Sequence, residues 1–162
     1  MQTLLHQLET TPLGILVRES LYGFPILVGI HIMGLVLSVG MLLWFDLRLL
    51  GFALESAAVS QVYRRLIPWA TAGFTVMFIT GGMLFVGYAT QAYQNRFFRI
   101  KIAMLLLAGI NAMVYHLVTE RDRPQWDVEA RLPRAARMAG VISLLAWGTI
   151  IVCGRMMAYT MY

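Results

Sequence analysis

The fold is decided by the stretch LYGFPILVGIHIMGLVLSVGMLLWFDLR, residues 21–48. No Asp, Glu, Lys or Arg occurs from Leu21 to Phe45, and Asp46 and Arg48 follow directly. Because a helix rises ~1.5 Å per residue, about 20 apolar residues cross the ~30 Å hydrocarbon core of a bilayer. The stretch therefore predicts a membrane-spanning helix. Its one histidine, His31, stands near the middle, where ionisable groups are costly and usually have a partner.

The rest of the chain has the same apolar character. Of its 162 residues, 59% are hydrophobic and 13% are charged. Soluble domains have roughly 45–50% apolar and about 25% charged residues. The composition therefore indicates an integral membrane protein, with one transmembrane domain over residues 1–162. Four predicted spans cover about 21–45, 68–88, 98–118 and 138–159.

The connectors and the N-terminal segment predict the topology. Thr11 followed by Pro12 is typical of a helix start and predicts a short interfacial amphipathic helix over about 12–20. Eight basic residues lie in or beside the first and third connectors, against four on the opposite side. The positive-inside rule then places both termini outside. Short connectors favour an all-α bundle of four helices with up-down-up-down topology.

The first and third predicted spans each carry one histidine. These spans are diagonal neighbours in a four-helix bundle, and neutral imidazole is a common ligand of haem iron and of other metals. His31 and His116 are therefore candidate axial ligands of a b-type haem. Whether they share one site depends on the depth reference. Their depths differ by ~3 Å when counted from the outer charges and by ~16 Å when counted from the inner ones.

Arg155 is a candidate partner for a haem propionate. Counted from the outer surface, Arg155 would lie ~8 Å deep and His31 ~16 Å deep, a spacing that suits a bidentate contact between guanidinium and carboxylate. Glu19 and lipid phosphate are alternative partners. Copper is a rival metal because the chain has 11 methionines, although only Met156, Met157 and Met161 cluster.

The same polar residues also have purely structural interpretations. Either histidine can hydrogen-bond across the bundle, Asn111 can link two helices, and Trp147 can pack in the core. The protein would then be a cofactor-free accessory or scaffold subunit, in contact with other membrane subunits or a second copy. No Ser-His-Asp arrangement or phosphate loop is present, and no basic, aromatic stripe indicates nucleic acid binding. Whether the protein is an enzyme stays open.

Asp46 and Arg48 are two residues apart at the predicted inner end of the first span, so they do not face each other on a helix. The sequence favours separate partners for them. These are Arg64 or Arg65 for Asp46, and an acidic residue of 119–129 for Arg48. Solvated interfacial charge is the alternative.

Three segments carry a family resemblance: HIMGLVLSVGMLLWFDLRLLG (31–51), NRFFRIKIAMLLLAGINAMVYH (95–116) and SLLAWGTIIVCGRMMAY (143–159). In these segments the chain resembles an uncharacterised family of small bacterial four-helix membrane proteins, a domain of unknown function. This resemblance implies the fold and a bacterial inner membrane, with periplasmic termini, but no reaction.

A looser similarity to four-helix b-type cytochromes implies haem held between bundle helices. On that similarity His31 and His116 are the axial ligands, and Arg155 and Tyr159 lie at the propionates. Two imidazoles leave no open coordination position, which favours electron transfer over oxygen chemistry. Electrons would pass to or from a quinone or a periplasmic partner.

Overall fold

The computed structural model describes residues 2–119 and 132–160, together with the backbone course of seven α-helices. Three helices are short: α1 (Gln2–Glu9), α2 (Pro12–Glu19) and α5 (Ala89–Gln94). Four are long: α3 (Gly23–Leu50), α4 (Val59–Gly87), α6 (Arg96–Val114) and α7 (Arg134–Thr160). A π-helical segment, Tyr115–Thr119, continues α6. The described residues contain no strand.

All four long helices are long and apolar enough to cross a membrane, so the chain is a multi-pass membrane protein. The second helix differs most from its predicted span, because α4 begins at Val59 and not at Pro68. The predicted start relied on proline as a first helical residue. Pro68 instead lies inside α4, where it removes one backbone hydrogen bond without ending the helix.

The α3–α4 contact is the closest approach between helices. A Cβ added at Gly73 of α4 would lie 2.6 Å from the Ser38 backbone nitrogen, and one at Gly34 would lie 3.0 Å from the Gly73 carbonyl oxygen. Gly34 and Ser38 form the small-residue face that the sequence predicts on α3, and both are buried. Small residues allow this backbone contact because they carry no bulk between the helices.

The long helices form two pairs. Contacts run from Phe24–Tyr88 at one end of α3 and α4 to Phe45–Tyr63 at the other, so these two helices are antiparallel. Helix α6 packs chiefly on α7, which also contacts α3 near Gly140. Helices α4 and α6 make little backbone contact with each other. Space therefore remains between the pairs, and both large cavities lie there.

The N-terminal helices pack against the end of the bundle formed by α4 and α5. Thr11 caps α2, as the sequence predicts, because its hydroxyl accepts from the Gly14 backbone N–H at 3.2 Å. The Glu9 carboxylate accepts from the backbone N–H of Thr90 at 2.7 Å. Helix α2 matches the predicted segment 12–20, whereas α1 and α5 were not predicted. The interfacial position of α2 stays a prediction.

Candidate functional site

Two cavities follow one another along the bundle axis, and each is lined by all four long helices. The His31 cavity is the larger, with a volume of about 760 Å³, and contains His31, Lys101 and Arg155. The Asp46 cavity has a volume of about 300 Å³ and contains Asp46, Asn111 and His116. Phe78 and Leu105 line both cavities and mark the boundary between them.

The two histidines lie in different cavities. The Tyr63 hydroxyl is 2.8 Å from His116 Nε2, and the Tyr63 ring packs on Phe45, which places His116 at the level of Phe45. Phe45 follows His31 by 14 residues of one helix, which corresponds to ~21 Å. Two imidazoles on one metal, at ~2 Å per bond, would lie about 4 Å apart. The structure therefore does not bring His31 and His116 to one site, and the depth count from the inner charges is the better guide.

The hydrogen bonds around His31 define which ring nitrogen carries the proton. Nδ1 lies 2.9 Å from the Thr80 hydroxyl oxygen. That hydroxyl donates its own proton to the Val76 carbonyl at 2.7 Å, so it accepts from His31. The neutral ring then carries its proton on Nδ1 and its free lone pair on Nε2. This is the arrangement typical of metal-binding histidines, whose second nitrogen donates to a fixed acceptor.

Two cationic side chains share the His31 cavity. Lys101 is close enough for its charge to act on His31, and a Cβ added at Gly154 would lie 3.9 Å from Lys101 Nζ. Arg155, the next residue on α7, lines the same cavity. No Asp or Glu is among the described residues that line it. The cavity therefore combines apolar walls with an imidazole and two positive charges.

Tyr159 does not line the His31 cavity among the residues described, and its side chain is exposed. The Arg155 guanidinium lies 4.8 Å from the centre of the Tyr159 ring. That cation–π contact leaves Tyr159 as a neighbour of Arg155. A pairing of Arg155 with Glu19 is not found, since the ion pair of the described residues joins Glu19 to Arg18 at 3.5 Å.

Several other sequence-based interpretations have clear outcomes. Asn111 does link two helices, because its amide donates to the Ala139 carbonyl at 3.0 Å. Trp147 is buried in the core and packs on Phe74, with 5.0 Å between ring centres. Within residues 2–119 and 132–160, no group of three or more His, Cys, Asp or Glu side chains forms a metal site. The copper alternative gains no support from these residues.

The predicted partners of Asp46 and Arg48 differ from those found. Asp46 is buried and interacts with the Ser143 hydroxyl, while Arg64 and Arg65 are exposed. The Arg48 Nε atom donates to the Ala57 carbonyl at 2.8 Å. The acidic residues proposed for Arg48 lie almost entirely outside the described residues.

Two residues of this site were missed by the sequence reasoning. Lys101 lies inside the predicted third span, but its charge was taken as the marker of the outer end of that span. Thr80 lies in a Thr-Gly-Gly segment of α4, and nothing local to that segment indicates a histidine partner from α3. A lysine within an apolar span was the available signal, because such residues usually face the bundle interior.

Comparison with known proteins identifies the family. Residues 9–160 match a family described as a family of unknown function, DUF6644. The chain belongs to this family. Neither the curated proteins nor the solved structures contain a match. The family resemblance seen in the sequence is therefore confirmed, while the similarity to cytochromes stays a prediction.

Proposed function

We propose that this membrane protein binds a b-type haem in the His31 cavity and takes part in electron transfer within the membrane. The supporting observation is that one apolar cavity contains His31, Lys101 and Arg155 without an acidic residue among its described lining. Haem has the matching chemistry, namely an iron that takes imidazole, a flat apolar ring and two anionic propionates.

The residues of the cavity fit these requirements. His31 is held by Thr80 with its Nε2 lone pair free, which suits an axial ligand. Lys101 and Arg155 would bind the propionates, Arg155 by the bidentate contact that guanidinium makes with carboxylate. Gly81 and Gly82 of α4 line the cavity and leave room beside His31 for a flat ring. Bound haem supplies one-electron redox chemistry.

His116 has no place in this site, so the axial pair of the sequence-based hypothesis is reduced to His31. A second axial ligand would have to come from elsewhere in the cavity or from another subunit. The electron partner would be a quinone or a periplasmic protein. We further propose that the bundle has up-down-up-down topology in a bacterial inner membrane, with both termini periplasmic. The basic residues at 48–65 support this orientation, since they lie at the same end as the start of α7.

The test is the visible spectrum of protein purified from cells with ample haem supply. We expect a Soret band in the wild type, its loss in His31→Ala, and its retention in His116→Ala. The His116 variant is a matched control, because it removes the same side chain from the other cavity. A colourless wild type, or equal loss in both variants of unchanged fold, would contradict the proposal.

A cofactor-free accessory subunit is the second candidate. It is favoured by the hydrogen bonds of the histidines, because His31 contacts Thr80 and His116 contacts Tyr63 within the chain. Each imidazole thus has a structural role that needs no ligand. On this reading both alanine variants lose stability, the wild type is colourless, and the protein co-purifies with another membrane subunit.

A further inference from the structure

The Asp46 cavity contains an acidic group without a basic partner among the described residues. Asp46 is 3% exposed, and no Lys or Arg of residues 2–119 and 132–160 lies within 4.0 Å of its carboxylate. Its interaction is with the neutral Ser143 hydroxyl. A buried carboxylate without a counter-ion is costly in a membrane protein, and such residues usually mark a functional site.

Aromatic rings surround this carboxylate. The cavity is lined by Phe45, Tyr63, Phe74, Phe78, Tyr115 and Trp147. Rings attract cations to their faces, and aromatic cages with an added negative charge are the usual way in which proteins bind organic ammonium groups. No lysine or arginine is among the described residues that line the cavity, so nothing there competes for the aromatic faces.

The remaining polar groups are compatible with a cation. The Asn111 amide donates to the Ala139 carbonyl and keeps its oxygen as an acceptor. Ser143 likewise presents a hydroxyl oxygen beside Asp46. These oxygens supplement the carboxylate. An anionic molecule would find no cationic side chain in this cavity unless His116 were protonated, so the ligand classes of the two cavities differ.

We propose that the Asp46 cavity is a binding site for an organic cation, specifically a molecule with an ammonium group and an apolar body. Asp46 provides the counter-charge and the aromatic residues provide the walls. The volume of about 300 Å³ is at the lower end of the range for small-molecule sites, which limits the ligand to about one aromatic ring with its substituents. This proposal is independent of haem in the His31 cavity.

Calorimetric titration of the full-length protein in non-ionic detergent tests the proposal with two isosteric probes. Benzyltrimethylammonium carries the charge, and neopentylbenzene has the same shape without it. We expect the cation to bind at least about tenfold more tightly than the neutral probe, because truncating one side of a buried charge pair is costly. This comparison uses the wild type alone, so it stays informative if variants fail to fold.

Variants then locate the site. Asp46→Asn keeps the shape of the side chain and should weaken binding of the cation by at least about tenfold, with little effect on the neutral probe. Lys101→Met, in the His31 cavity, is the control and should leave the affinity for the cation unchanged. The proposal is overturned if the wild type does not bind the cation, if both probes bind equally, or if a folded Asp46→Asn variant retains full affinity.

Discussion

The two cavities are built from the same four helices but differ in the sign of their charge. The His31 cavity has Lys101 and Arg155 and no acidic residue among its described lining, whereas the Asp46 cavity has Asp46 and neither lysine nor arginine. The boundary at Phe78 and Leu105 is apolar. Charges of opposite sign would neutralise each other if they met in a low-dielectric interior. Their separation along the bundle keeps each one available for a ligand.

The largest expected effect is loss of both cavities together through the α3–α4 contact. In Gly73→Ala the new methyl would lie 2.6 Å from the Ser38 nitrogen, and backbone cannot move aside as a side chain can. We expect a loss of about 2–3 kcal/mol in the free energy of unfolding, typical of overpacking. Unfolding monitored by circular dichroism in a detergent titration measures it.

Gly40→Ala is the matched control for that experiment. Gly40 also lies in α3, but a Cβ there would meet nothing within 4 Å. We expect this variant to be as stable as the wild type or slightly more stable, because alanine favours helix over glycine. Equal destabilisation by both substitutions would show that the close approach of α3 and α4 is not what holds the two cavities.

The second effect distinguishes the cavities through the acceptor of His31. Thr80→Val keeps the side-chain shape but removes the oxygen that receives the Nδ1 proton. Loss of such a supporting group typically costs 10–100-fold in metal affinity, so we expect about that loss for haem, measured by titrating ferric protoporphyrin IX into apo-protein. Thr75→Val is the control, because the Thr75 hydroxyl bonds only within its own helix, to the Thr71 carbonyl. Equal affinities of the two variants would exclude this role of Thr80.

The four spans could be predicted because hydropathy and length are local properties of the sequence. The small-residue face at Gly34 and Ser38 could be predicted for the same reason, since its spacing appears on one helix. The start of α4 could not, because a proline is equally acceptable as a first residue and inside a membrane helix, where neighbouring groups satisfy the freed carbonyl. Local sequence does not choose between those two positions.

The composition of the site was harder to predict than the spans. Two histidines on diagonal spans suggested one shared site, but sharing depends on the axial offset between helices. That offset is set by the contacts of Tyr63 with Phe45 and His116, which no local pattern indicates. Asp46 was assigned an arginine partner because charges near a span end are usually paired. Its burial against α7 depends on Gly140, which allows α3 to approach that helix closely.

A third prediction tests the sign of the charge in the His31 cavity. We expect Lys101→Met to weaken binding of protoporphyrin IX by roughly tenfold, since hydrogen bonds to charged groups contribute about 1.5–3 kcal/mol. The dimethyl ester of protoporphyrin IX, which lacks the propionate charges, should bind the variant and the wild type alike. Fluorescence titration of the metal-free porphyrins measures both.

The control for this charge is Arg99→Met, two residues earlier on α6. Arg99 is exposed and donates to the Tyr93 and Gln94 carbonyls, outside the cavity. Its removal should leave the affinity for both porphyrins unchanged. If the ester and the acid respond equally to Lys101→Met, the lysine acts on the shape of the cavity and not on the ligand charge.

The smallest effect concerns Tyr63, and it tests whether the two cavities are energetically independent. Tyr63→Phe keeps the ring on Phe45 and removes the hydroxyl that contacts His116 Nε2 at 2.8 Å. We expect a loss of about 0.5–1.5 kcal/mol in the free energy of unfolding, with haem affinity unchanged. Because Tyr63 and Thr80 share no partner and lie at the levels of Phe45 and His31, the stability losses of Tyr63→Phe and Thr80→Val should add to within about 0.5 kcal/mol in the double variant. A larger deviation would mean that the two cavities respond as one unit through the Phe78 layer, and the contrast in their charges would then have to be explained as a property of a single coupled site.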